Sequence, residues 1–89
     1  MMKCKVGTIV KSKAGRDNGK FFVVYSILDE NYVLLVNGKN KKLSNPKKKK
    51  YKHLIVCKEI SELREKIEQA RYLLDSDIRS QLKNFKLNM

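Results

Sequence analysis

The hydrophobic pattern of this 89-residue chain changes period once, near Ile60, and that change bounds the fold. Before it, apolar residues come in short runs broken by turn formers. Val6 to Ser12 reads VGTIVKS, Lys20 to Leu28 reads KFFVVYSIL, and Tyr32 to Val36 reads YVLLV. Short β-branched and aromatic runs bounded in this way are strands. FFVVY and YVLLV are apolar at consecutive positions, so both faces of their sheet need cover. After the change, Ile60, Leu63, Ile67, Ala70 and Leu74 fall 3, 4, 3 and 4 apart, one face of a helix. Ile78, Leu82 and Phe85 continue the pattern at 4 and 3. Helices are therefore the available cover for one sheet face.

The connections can be read as well. AGRDNG, Ala14 to Gly19, is a loop dense in turn formers. Asp29-Glu30-Asn31 is a tight turn. Asn37-Gly38 is a strong hairpin signal, because a type I′ turn needs positive φ at both central residues. It places a fourth strand at Lys41 to Leu43. In SNPKKKKYK, Ser44 to Lys52, Pro46 cannot donate to a ladder, which predicts a loop or edge. His53 to Val56 is the final short strand. Ser61 is the predicted N-cap of the first helix, with Glu62 and Glu65 near its positive end. Asp75-Ser76-Asp77 reads as a stop and a new cap, giving two helices; one unbroken helix is the alternative. The stripe is too short for sustained heptads, so packing on the sheet is preferred to dimerisation, and the chain is read as a monomer. The expected class is α+β, mostly β: a small barrel or sandwich over residues 1–56 and a helical extension packed on it over residues 57–89.

Charge narrows the function. The chain carries 21 Lys and Arg against 9 Asp and Glu, a net +12. Solubilising surfaces usually mix both signs, whereas a field this strong attracts polyanions. The excess is uneven. Met1 to Val56 holds fourteen basic residues and only Asp17, Asp29 and Glu30, while Cys57 to Met89 holds seven basic and six acidic residues. The binding surface is therefore expected in the N-terminal part.

Other chemistries find little support. There is no GxxxxGK[ST] loop, GxGxxG or HExxH. One histidine, His53, stands four residues before Cys57, and in a strand that spacing puts them roughly 13 Å apart. With Cys4 they make three ligands, short of a closed zinc site. No enzyme activity, metal or cofactor is expected. Two cysteines are too few for a secreted disulfide framework. MMKCKVG holds no apolar signal segment, and no run approaches membrane-spanning length. A cytoplasmic protein without membrane partners is the simplest reading.

VGTIVKSKAGRDNGKFFVV, Val6 to Val24, resembles the KOW motif: a strand, a basic glycine-containing loop and a second strand. The motif's glycine would be Gly19. AGRDNGKFFVV followed by LDENYVLLVNGKNKKLSNPKKKKYKHL is similar to bacterial KOW-domain RNA-binding proteins, and through them to the ribosomal L-fourteen-e family. The similarity covers about Val6 to Leu54; DSDIRSQL also looks like the capped final helix of that group. It implies an SH3-like barrel that binds RNA, ribosomal RNA foremost, with ribosomal proteins as further partners.

The residues point the same way on physical grounds. Gly15 and Gly19 open conformations closed to other residues and can bring backbone N–H groups near a phosphate. Lys11, Lys13, Arg16 and Lys20 flank that loop. Asp17 is expected to hold the loop or orient Arg16. Lys47, Lys48, Lys49 and Lys50 form a basic run anchored between strands, read as a ridge for RNA backbone, with Lys39, Lys41, Lys42 and Lys52 close by in sequence. Phe21, Phe22, Tyr25 and Tyr32 are assigned to the core. Tyr51 and His53 flank the run and are the candidates for stacking on bases. Phosphate attraction alone does not separate RNA from DNA, so a DNA-binding barrel is one alternative. A protein-interaction module on the transcription or translation machinery is the other.

Overall fold

The consecutive apolar positions become two cores on opposite faces of one sheet. The computed structural model describes residues 4–69 and 72–89; Ala70, read above as part of the first helical stripe, lies outside them. The strands are β1 (Thr8–Ser12), β2 (Phe21–Ile27), β3 (Tyr32–Val36), β4 (Lys47–Lys50) and β5 (Leu54–Glu59). They form an antiparallel sheet in the order β4-β3-β2-β1-β5. Two helices follow, α1 (Ser61–Glu68) and α2 (Asp75–Leu87). The protein is thus α+β, mostly β with C-terminal helices, and among the described residues the helices are two.

Alternation along each strand sorts the side chains. Val10, Phe22, Val24, Val33, Leu35 and Leu54 cluster on one face with Cys4. Ile9, Val23 and Val36 point the other way and are buried under Leu63 of α1 and Ile78 and Leu82 of α2. At about 25 cal/mol per Å² of apolar surface, each of these side chains contributes roughly 1.5–3 kcal/mol to holding its layer in place. Phe22 is fully buried, while Phe21 and Tyr25 pack at the margin of the helix-side core. Two register shifts bend the sheet: Tyr25 is the extra residue between β2 and β3, and Cys57 the extra residue between β5 and β1.

The second half of the sheet departs from expectation. Lys41 to Leu43 is not a strand. The Asn37 side chain accepts hydrogen bonds from the Lys39 and Lys41 N–H groups at 2.9 and 3.0 Å, and Leu43 N–H donates to the Asp75 carboxylate at 2.8 Å. These bonds fold the segment onto α2 instead of back onto β3. Gly38 shows why. A Cβ there would stand 2.4 Å from the Asp75 carbonyl oxygen, so the glycine is needed to seat α2 as well as for its positive φ. The returning strand is the lysine run itself, Lys47–Lys50, which starts directly after Pro46 and pairs with Leu35 to Tyr32. Lysine is a poor strand former, but on an edge it discourages pairing with other chains.

Smaller differences lie further on. His53 belongs to a 3-10 turn, Tyr51–His53, and β5 runs from Leu54 to Glu59, through the expected 56/57 boundary. Ser61 is the first residue of α1, with Ile60 in the cap position and no side-chain cap. At α2 the Asp77 carboxylate accepts the Leu74 N–H at 2.9 Å, the capping role expected of this segment. Leu74 is exposed and Leu73 packs in its place.

Candidate functional site

The loop between β1 and β2 is rigid because its polar groups are spent on itself and on β4. Gly15–Asp17 is a single 3-10 turn. Gly19 N–H donates to the Ser12 carbonyl at 2.7 Å, Ser12 N–H to the Lys20 carbonyl at 2.9 Å, and Lys20 N–H to the Asp17 carbonyl at 2.8 Å. Gly19 has φ +87°, so it supplies the conformation that closes the loop. Its N–H is therefore used internally and is not presented to an external phosphate. Lys13, Arg16 and Lys20 are left exposed on the outside of the loop.

Asp17 holds the loop, and its partner is Lys47 and not Arg16. The two side chains form an ion pair in which the carboxylate is only 10% exposed. The Lys47 hydrogen bond, with the charges of Lys47, Lys49 and Lys20, holds its carboxyl below the usual carboxylate range, against the opposing effect of burial. Lys49 adds a second tie, donating to the Ala14 carbonyl at 3.1 Å beside Gly15.

The lysine run is therefore not a one-sided ridge. Strand alternation sends Lys47 and Lys49 toward the loop and leaves Lys48 and Lys50 exposed on the other side. There the Lys48 and Lys50 ammonium groups stand 4.5 and 5.9 Å from the centre of the Tyr32 ring. Tyr32 is thus half-buried under lysines, outside both cores.

Other expected residues separate. Tyr51 packs against the Cys4 core cluster, so its ring supports the fold instead of offering a stacking face. Burial pushes its hydroxyl and the Cys4 thiol up, and Glu59 raises the thiol further, against a smaller opposing effect of the Tyr51 hydroxyl. A thiol so placed is a poor nucleophile. His53 is half-buried, and its carbonyl accepts the Lys13 N–H at 2.9 Å. Lys52 is exposed beside Lys50 in a small cleft of about 330 Å³ that also holds Glu30. Lys41 and Lys42 lie in the segment tied to α2. Lys11 stands 5.7 Å from the Phe21 ring centre. Among the described residues, no three His, Cys, Asp or Glu side chains gather as metal ligands, and no helix is long and apolar enough to cross a membrane.

A second group of cations was missed. A trough of about 1100 Å³ runs between α2 and the two glycine-bearing loops, lined by Lys20 and Lys39 from the loops and by Arg79, Lys83 and Lys86 from α2. The near-neutral charge of residues 57–89 concealed these three. Their spacing of 4 and 3, with no acid after Asp77, is a legible basic stripe on one helix face. Among the described residues, Asp17 is the one acid lining the trough, and it is already paired with Lys47.

Among the described residues, ion pairs involve Lys47 and Arg64 alone, with Asp17, Glu59 and Glu68. Lys13, Arg16, Lys20, Lys39, Lys48, Lys50 and Lys52 are all exposed without an acidic partner. In comparison with known proteins, no family model matches the chain and no curated relative matches it.

Proposed function

We propose that the protein is a non-catalytic RNA-binding protein of KOW type that docks on folded RNA, ribosomal RNA foremost. One observation carries the reading: from residue 4 to residue 56 only Lys47 spends its charge on an internal carboxylate. The other cations of this stretch have no acidic partner among the described residues. Ordering unpaired charge in this way has no benefit to folding, since like charges repel; a polyanion is the partner that relieves it.

Chain geometry supports the barrel. β4 and β5 are opposite edges of the sheet, yet only the three-residue turn Tyr51–His53 joins them. In a flat five-stranded sheet the edges stand about 19 Å apart, four strand spacings. Four Cα steps, from Lys50 to Leu54, reach at most about 15 Å. A sheet joined this way is not flat, and the irregularities at Tyr25 and Cys57 favour a curl toward closure. Lys47 and Lys49 tie the β1–β2 loop to one free edge. This arrangement fits the SH3-like barrel implied by the resemblance to KOW proteins.

The test compares a folded RNA hairpin with a DNA duplex of the same length at matched salt. RNA is expected to bind at least tenfold more tightly. Lys13→Ala with Arg16→Ala removes two phosphate contacts, which flattens the slope of log K against log salt by about 1.8 and lowers hairpin affinity by roughly 60-fold at 0.1 M salt. Equal binding of the DNA duplex would instead favour a DNA-binding barrel.

A further inference from the structure

The trough along α2 lies beside the glycine loop, and its chemistry differs from that of the loop. Its rim is cationic: Lys20 and Lys39 on one wall, Arg79, Lys83 and Lys86 on the other. Its lining also includes the half-buried Phe21, with the Lys86 ammonium 5.8 Å from its ring centre, and the exposed Leu87, so apolar surface is interleaved with the charges. The walls are fixed. Arg79 donates to the Gly38 carbonyl at 2.6 Å, Leu43 N–H is held by Asp75, and Phe21 meets Phe85 edge-on at 5.4 Å. Lys83 and Lys86 take no part in an ion pair among the described residues, and both are exposed.

We infer that this trough binds a single-stranded segment of RNA, with phosphates at the cationic rim and bases against the apolar lining. The inference rests on the nucleic-acid reading above but uses residues outside the glycine loop. Shape favours a single strand: an unpaired strand can lay its bases into an open trough of this kind, whereas a duplex keeps its bases stacked inside. A-form RNA presents a deep, narrow major groove that side chains do not read, and protein recognition of RNA sequence concentrates on unpaired loops, bulges and ends. A basic groove with apolar or aromatic surface at its base is the usual platform for such segments. An acidic peptide would satisfy the rim and leave the apolar lining unused. The protein would thus meet a folded RNA at two points, the β1–β2 loop on its backbone and the trough on an adjoining unpaired stretch.

The experiment measures binding of a labelled single-stranded RNA of about ten nucleotides, a length within the site sizes of small barrel proteins. Wild type is compared with Lys83→Ala/Lys86→Ala and with Lys13→Ala/Arg16→Ala. Losing two phosphate contacts flattens the slope of log K against log salt by about 1.4 and weakens single-strand binding about 20-fold at 0.1 M salt. Both lysines are exposed, so the melting temperature of that variant should stay within about 4 °C of wild type, which shows that the protein is folded. Unchanged single-strand affinity and slope in the folded Lys83→Ala/Lys86→Ala variant overturns the inference. In that event, hairpin binding that still depends on Lys13 and Arg16 leaves the broader RNA reading standing. A duplex that loses as much affinity as the single strand overturns the single-strand assignment. Polyglutamate that competes as well as RNA makes the trough a site for acidic protein. No binding of either RNA by wild type removes both readings.

Discussion

Lys47 and Lys49 differ from Lys48 and Lys50 only in the direction a strand turns them, yet the two pairs have opposite roles. The first pair is half-buried and spent on the fold: Lys47 neutralises Asp17, and Lys49 caps the Ala14 carbonyl. The second pair is exposed, beside the Tyr32 ring, with no acidic partner. Four identical residues in a row therefore do not make one patch. The comparison teaches that a basic run on a strand has to be divided by parity before any of it is counted toward binding. It also means that replacing all four at once would confuse loss of folding with loss of affinity.

The largest break in the comparison should come from Lys47→Ala. It strands a mostly buried carboxylate, at a cost of about 2 kcal/mol, which lowers the melting temperature by about 10 °C. Asp17→Asn with Lys47→Ala should recover part of that loss, because the unpaired charge is gone. Thermal melts of wild type and these two variants decide it.

Next is RNA affinity. Lys48→Ala/Lys50→Ala should leave the melting temperature within about 4 °C of wild type and flatten the salt dependence of hairpin binding by about 1 to 2. A drop in melting temperature equal to that of Lys47→Ala would erase the distinction between the two sides of β4.

The pH dependence of stability sharpens the structural half. The Asp17 carboxyl is held below its unfolded value, so the folded state binds fewer protons than the unfolded state in that window. Its contribution is complete above the unfolded value, about pH 4, and is lost as pH falls through the depressed one. Acid unfolding followed by circular dichroism should show a shallower loss below about pH 4 in Asp17→Asn than in wild type. Lys48→Ala should leave the wild-type profile unchanged.

The smallest effect is at Tyr32. Replacing it with Leu removes a cation–π contact with Lys48, worth about 0.5–1 kcal/mol at an exposed site. Denaturant titration should register a shift of that order, below the loss in Lys47→Ala.

Much of the frame was legible in the sequence. The doubled apolar positions of FFVVY and YVLLV announced two covered faces, and the 3–4 spacing after Ile60 supplied the cover. Asn37-Gly38 misled, because its local turn preference competed with a long-range demand that no local pattern carries: Gly38 has to admit the first turn of α2. The lysine run was read from Pro46 as a loop or an edge; it is an edge strand, and only its pairing with β3 reveals the alternation. Tyr51 looked like a free aromatic beside a basic run, but the turn into β5 directs it to the core. The α2 stripe was concealed by summing charge over a segment whose acids and bases are separated along the helix.

The salt titration of a folded RNA against the intact protein tests the polyanion reading most directly. With six to eight of the unpaired cations engaged, log K should fall against log salt with a slope of about −4 to −7. A slope near zero, or affinity that persists unchanged into high salt, would show that the unpaired charge is not what holds the partner.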